Sequence, residues 1–165
     1  MINFRQLPKI QPHYKIPFRF LLLMRTNRNK NLHMAYDIFL LNPYDILQTE
    51  ETVPEKLPLL KHEILSTGFW TTPVTVERDS FVLMDGHHRL ETAKALNLMY
   101  IPAVLLSYHQ VRVETRNPAI AVTPQDIINR GRTGRLYPAK TTRHIFPEEY
   151  ECAVSLDSLQ LARAA

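Results

Sequence analysis

The sequence predicts an α+β fold, a small mixed α/β sheet flanked by helices. Three observations lead to that class. Apolar stretches of strand length stand at 36–41, 73–77, 81–84 and 101–106, and they either alternate with polar residues or run apolar. Segments with helical spacing and their own start and stop residues fall between them. The resulting order is strand, helix, hairpin, helix, strand and then a helical lobe, which is an α+β or mixed α/β arrangement.

Tyr36-Asp37-Ile38-Phe39-Leu40-Leu41 reads as the first strand, with a turn at Asn42-Pro43. The polar loop Leu47-Gln48-Thr49-Glu50-Glu51-Thr52 leads to a helix with Thr52 as N-cap, Pro54 in the first turn and Glu55 three residues after the cap. Leu57, Leu60 and Ile64 give that helix an apolar stripe, and Gly68 stops it. Pro58 lacks an N–H and crowds the preceding turn, so it predicts a kink or a broken first turn. Residues 73–77 and 81–84 form a hairpin around Arg78-Asp79-Ser80. The helix after Gly86 buries Leu90, Ala93 and Leu96 and ends at Asn97, and residues 101–106 are the next strand. Thr123-Pro124-Gln125-Asp126 repeats the cap, proline and acid signature, which predicts a short helix at 124–130 closed by Gly131. A basic loop at 130–135 and an irregular tail complete the chain.

The hydrophobic fraction of 45% over 165 residues suits a globular domain with a real core and argues against wholesale disorder. A lone cysteine, Cys152, excludes an internal disulfide framework and fits a reducing compartment. The apolar run at 20–24 is too short to span a bilayer, and Arg19 and Arg25 beside it argue against a signal peptide. The expectation is a cytoplasmic protein without a membrane partner. Of 20 basic and 16 acidic residues, seven basic and no acidic ones lie in 1–33, which leaves the remainder at net −3. The division expected is a basic N-terminal arm (1–33), a catalytic domain (34–150) and a C-terminal tail (151–165). Any contact with nucleic acid would run through the arm.

Three polar clusters can carry chemistry. Asp85-Gly86-His87-His88-Arg89 joins a strand to a helix through one glycine, and the first helical N–H groups have no partner inside the helix. With the helix dipole behind them and basic side chains beside them, an anion such as phosphate is the natural occupant. Lys140-Thr141-Thr142-Arg143-His144 offers two cations, two hydroxyls and an imidazole without an acid, a mixture that suits phosphate oxygens. Glu50 and Glu51 stand in the loop before the capped helix, where a carboxylate is either a general base or simply solvated. His87 and His88 do not make a metal site, since neighbouring histidines point apart and no third ligand has suitable spacing. Phe69 and Trp70 read as core or pocket wall, and Tyr36, Tyr44 and Tyr100 as packing residues.

From about residue 40 to residue 108 the chain resembles the ParB/sulfiredoxin-like superfamily. The parts run in order: a loop glutamate, a helix, Gly68-Phe69-Trp70-Thr71-Thr72-Pro73-Val74-Thr75-Val76, the Asp85-Gly86-His87-His88-Arg89 corner and Ile101-Pro102-Ala103-Val104. That corner, together with Tyr137-Pro138-Ala139-Lys140-Thr141-Thr142-Arg143-His144, is similar to the free L-serine kinases. The resemblance implies transfer of a phosphoryl group from ATP or ADP to free L-serine, giving O-phosphoserine, with Mg²⁺ accompanying the nucleotide. It implies that Glu50 takes the serine hydroxyl proton and that Asp85 is catalytic, helps to place the substrate and is a contact for Mg²⁺. Gly86, His87, His88, Arg89, Lys140, Thr141 and Thr142 would hold the phosphates, and Arg143 and His144 would meet the substrate. Thr49 departs from the histidine that commonly precedes the glutamate, and Asp45 is the fallback base. Only about thirty residues connect Tyr108 to Lys140, where archaeal members carry a sizeable lobe.

A sulfiredoxin-type activity needs a reactive cysteine beside the glycine turn, where this chain has His87. The rival is a ParB-like nucleotide-dependent DNA-binding, partition or nuclease protein. It calls for a helix-turn-helix after the first lobe, whereas one short helix and a net acidic body follow. A third class is a plasmid or toxin–antitoxin accessory that keeps the fold without catalysis. The kinase reading requires Glu50, residues 85–89 and residues 140–144 to share one cleft.

Overall fold

A computed structural model of the chain describes residues 21–26, as backbone, and 36–160. The strands are β1 (Leu21–Thr26), β2 (Tyr36–Leu41), β3 (Phe69–Trp70), β4 (Val74–Glu77), β5 (Leu83–Asp85), β6 (Ile101–Leu106), β7 (Arg112–Thr115), β8 (Thr142–Ile145) and β9 (Val154–Ser155). The helices are α1 (Leu57–Thr67), α2 (His87–Ala95), α3 (Pro124–Thr133) and α4 (Leu156–Gln160). Five strands form a mixed sheet in the order β1-β2-β6-β4-β5. Its β4–β6 pair is parallel and the other pairs are antiparallel. This is the α+β architecture expected. Among the described residues no helix is long and apolar enough to cross a membrane.

The central strands are buried on both faces. Val74 and Val76 of β4 and Ile101 and Ala103 of β6 are fully enclosed with Leu83, Leu90 and Ala93, under α1 and α2. Met84 and Val104, their neighbours in sequence, instead pack with Ile38, Val111 and Tyr150 in a second cluster, as the two-residue period of a strand requires. The hairpin turn between β4 and β5 is held by Glu77, which accepts from the N–H groups of Asp79 and Ser80 and from the Ser80 hydroxyl at 2.7–3.0 Å.

Several boundaries differ from the sequence reading. Thr52 is not the N-cap: a 3-10 turn at Pro54–Lys56 precedes α1, which begins at Leu57 without a side-chain cap. Pro58 accounts for this broken start, because a proline is accommodated in a first turn and not further in. Gly68 ends α1 with φ of 71°. In α2, Leu90, Thr92 and Ala93 are the buried residues, and Leu96 at the C-cap is only partly covered. α3 has the predicted capping box of Thr123 and Asp126, but it runs to Thr133 and closes at Gly134, so part of the expected basic loop is helical. Gly131 lies inside the helix because α3 rests on the sheet there; a Cβ at this position would come within 2.6 Å of Val82 Cγ1. Tyr44, read as a packing residue, is 66% exposed.

Two described segments, 21–26 and 151–160, join the domain. β1 falls within the stretch read as a basic arm, yet it pairs with β2 and extends the sheet. The rest of residues 1–33, and any nucleic-acid contact it makes, lie outside the described residues. Beyond residue 150, β9 pairs with β3. Val154 and Leu159 are buried, and the Leu159 carbonyl accepts from the Met99 and Tyr100 N–H groups. The segment up to Gln160 is thus packed onto the core, since Val154 and Leu159 join the cluster that holds Trp70 and Leu98.

Candidate active site

β5 ends at Asp85, and Gly86 turns the chain into α2 with φ of 102°, a conformation that side chains rarely adopt. A Cβ here would stand 2.7 Å from Val74 Cγ1 and 3.0 Å from Arg89 Nε, so the close packing of strand and helix also demands glycine. The first bond within the helix is Leu90 N–H to the Gly86 carbonyl, at 2.8 Å. The N–H groups of His87, His88 and Arg89 therefore have no acceptor inside the helix. Arg89 Nη2 binds Asp85 Oδ2 at 2.7 Å, and its buried Nε has no partner among the described residues.

Glu50 is not a solvated loop residue. The segment before it is stitched to β5, with Leu47 N–H donating to the Phe81 carbonyl and Leu83 N–H to the Leu47 carbonyl, both at 2.8 Å. On its other edge Tyr137 N–H donates to the Thr49 carbonyl and Glu51 N–H to the Tyr137 carbonyl, both at 2.9 Å. Glu50 is 6% exposed. Its Oε2 accepts from Lys140 N–H at 3.0 Å, and its Oε1 accepts from both the N–H and the hydroxyl of Thr142. Lys140 holds a left-handed backbone, φ 61°, that aims its N–H at the carboxylate. Oε1 has thus filled its two acceptor sites, while Oε2 has one left for an incoming hydroxyl.

The histidines of the site are neutral. Thr49 Oγ1 donates its one proton to the Leu83 carbonyl at 3.0 Å, so His87 Nε2, 2.9 Å from that oxygen, must carry the proton of their shared bond. Burial lowers the pKa of His87 to about 4 despite the Asp85 charge, and burial does the same to His144, which meets the Tyr108 hydroxyl at 3.3 Å. His88 is lowered by burial and then by Lys56, and its Nε2 accepts from Val53 N–H at 3.0 Å. The unfolded rings protonate near 6.5 and the folded ones of His87 and His144 near 4. The stability they contribute is therefore complete above pH 6.5 and lost as the pH falls toward 4. Between pH 7 and pH 5, where carboxylates stay ionised, the expected loss is roughly 1–2 kcal/mol per ring. Urea unfolding at both pH values checks this: His144→Phe should lose about half the wild-type difference, and an unchanged difference would contradict it.

A single cleft of about 460 Å³ is lined by Glu50, Glu51, all five residues from Asp85 to Arg89, Lys140, Thr142 and His144. The three sequence clusters therefore converge, but not every residue in them does. Thr141 is buried with its hydroxyl on the Pro138 carbonyl, and Arg143 faces outward, 3.7 Å from Glu114. For Arg143 the reason is strand period: Thr142 and His144 share the face of β8 that looks into the cleft, and Arg143 between them takes the other face. Asp45 is exposed and does not line the cleft. The sequence reading did not assign Lys56, Glu63, Thr71, Thr72 or Arg116 to this wall. Thr71 and Thr72 sat inside a quoted motif, whereas nothing local distinguished Lys56, Glu63 or Arg116.

Among the described residues no three histidine, cysteine or carboxylate side chains gather as a metal cluster. Mg²⁺ is commonly held by one or two carboxylates together with substrate phosphates, and Asp85, 60% exposed beside the unpaired N–H groups, fits that role.

No family model matches the chain. Over 66 residues it is 35% identical to a ParB-like protein of Sulfolobus acidocaldarius, a match covering 40% of this chain and 33% of that one. Over 81 residues it is 35% identical to an ATP-dependent L-serine kinase of Staphylothermus marinus, covering 46% and 32%. The chain thus spans about a third of the length of the curated relatives it matches. Its fold is that of a free serine kinase solved in complex with AMP, with a TM-score of 0.69 at 15% identity over 75% of this chain and 94% of the other. It is also that of C-terminally truncated SbnI from Staphylococcus aureus, with a TM-score of 0.67 at 14% identity over 77% and 90%.

Proposed function

We propose that this chain, a ParB/sulfiredoxin-like protein by sequence likeness and by fold, is a phosphotransferase that moves a phosphoryl group from ATP or ADP to the hydroxyl of free L-serine. The observation that carries the reading is the meeting, in one cleft, of a carboxylate with a free acceptor site and a helix N-terminus with free donors.

Phosphoryl transfer asks a protein for alignment, charge neutralisation and a base for the incoming hydroxyl. The N–H groups opening α2, with Arg89 and Lys140, would hold the phosphates. Gly86 lets the backbone approach them; neutral His88, whose Nε2 accepts from Val53 N–H, would offer its Nδ1–H, whereas His87, whose one ring proton is spent on Thr49, would give only its backbone N–H. Asp85 would meet Mg²⁺, which spreads the charge developing on the phosphate oxygens. Glu50 Oε2 would take the serine hydroxyl proton. The serine oxygen then bonds to the terminal phosphorus, and the bridging P–O bond breaks with its electron pair leaving on the shortened nucleotide. Thr142 and Lys140 orient Glu50 through their N–H groups, so the start of β8 and the turn before it align the base.

The likeness to an ATP-dependent L-serine kinase and the nucleotide-bound structural neighbours support this over the DNA-binding reading. So does the chain order after α3, which leads into the Tyr137 segment and β8 in place of a second helix. The test is incubation with L-serine, Mg²⁺ and either ATP or ADP, followed by detection of O-phosphoserine. Product with at least one donor is expected, and no product with either overturns the reading.

A further inference from the structure

We propose that Arg116 binds the carboxylate of the acceptor and thereby selects an amino acid over other small alcohols. The inference rests on the phosphotransferase reading and names a specificity residue outside the three sequence clusters.

Three observations place it. Arg116 follows β7, in which Thr115 lies opposite Thr142, and its N–H donates to the Thr141 carbonyl at 2.8 Å. It therefore lines the cleft from the β7–β8 hairpin, whose Thr142 grips Glu50. Second, it is uncommitted. Arg112 and Arg143 of the same hairpin share Glu114, at 3.0 and 3.7 Å, whereas the exposed guanidinium of Arg116 has no ion pair among the described residues. Third, the cleft's other free cations serve its phosphate end. Lys56 and Lys140 line the cleft near His88, in the first turn of α2, and burial and then their charges lower its pKa.

The chemistry follows from the size of serine. Two carbons separate its hydroxyl oxygen from its carboxylate carbon, so a hydroxyl seated on Glu50 Oε2 keeps the carboxylate within a few bond lengths of the base. A guanidinium entering beside Thr142 matches that group with two parallel N–H donors, a geometry that lysine cannot reproduce.

The experiment compares wild type, Arg116→Ala and Arg116→Lys, each checked for folding by circular dichroism, with L-serine and with ethanolamine, which keeps the hydroxyl and ammonium but lacks the carboxylate. Arg116→Ala is expected to raise the serine KM by about tenfold or more, with the nucleotide KM within about twofold and partial recovery in Arg116→Lys. Wild type should prefer serine to ethanolamine in kcat/KM, and Arg116→Ala should lose that preference. A raised nucleotide KM with an unchanged serine KM, or a serine preference that survives the substitution, overturns the assignment while leaving the kinase reading intact. A wild-type protein that makes no O-phosphoserine removes the kinase reading and this role with it.

Discussion

Glu50→Gln is expected to lower turnover by about a hundredfold to ten-thousandfold, the range a positioned general base supplies, while nucleotide affinity stays close to wild type. The carboxylate meets only donors: two backbone N–H groups and one hydroxyl. A glutamine can satisfy the two that converge on Oε1, but its amide nitrogen then faces Lys140 N–H, donor against donor. The variant should therefore also lose about 1–3 kcal/mol of stability, the cost of a buried donor without an acceptor. Steady-state turnover, nucleotide titration and urea unfolding of the same preparation separate these effects. A variant that retains turnover would remove Glu50 as the base. One that loses nucleotide binding to the same extent as turnover would show that the residue organises the phosphate end instead.

Gly86→Ala should be the most damaging conservative change in the corner. It forces alanine to a φ of 102° and brings its Cβ within 2.7 Å of Val74 Cγ1 and 3.1 Å of Arg89 Nη2. Backbone strain and overpacking together are expected to cost about 2–5 kcal/mol, a large part of a domain's total stability. Arg89 must also move, which disturbs the Asp85 pair and the donors presented to phosphate, so nucleotide affinity should fall by an order of magnitude or more. Gly68 supplies the control. Its φ is 71° but a Cβ there meets open space, so Gly68→Ala should cost only about 1 kcal/mol and leave nucleotide binding unchanged. Equal losses at the two glycines would mean that backbone conformation alone, and not the packing of the corner, sets the requirement.

Much of the site was legible because its signals are local. A strand, one glycine and a helix that begins with His-His-Arg can be read within a dozen residues, since the orphan N–H groups and the need for a positive φ belong to the turn itself. The Thr123–Asp126 capping box is legible for the same reason. Glu50 was less so. In sequence it is one of two adjacent loop glutamates, and what separates it from Glu51 is the backbone of residues 140 and 142, which sequence places some ninety positions away. Thr141 and Arg143 show the converse: their composition suits phosphate, but the Pro138 carbonyl takes the Thr141 hydroxyl and the pleat of β8 turns Arg143 toward Glu114.

The succession of strand, helix, hairpin, helix and strand from β2 to β6 and the glycine corner with its anion-binding donors were legible in the sequence alone, because dihedral preference, hydrophobic period and charge act over a few neighbouring residues, whereas Glu50 and Lys140 were joined only by the resemblance to the free L-serine kinases. The tertiary structure decided which glutamate is buried and hydrogen-bonded, which of residues 140–144 face the cleft, and that Arg116 lines the same cleft as Glu50. It also decided that β1 and the segment to Gln160 belong to the domain. Each of these depends on strand pairing and core packing between segments far apart in the chain, where the burial of one partner sets the environment of the other and no local pattern carries that information.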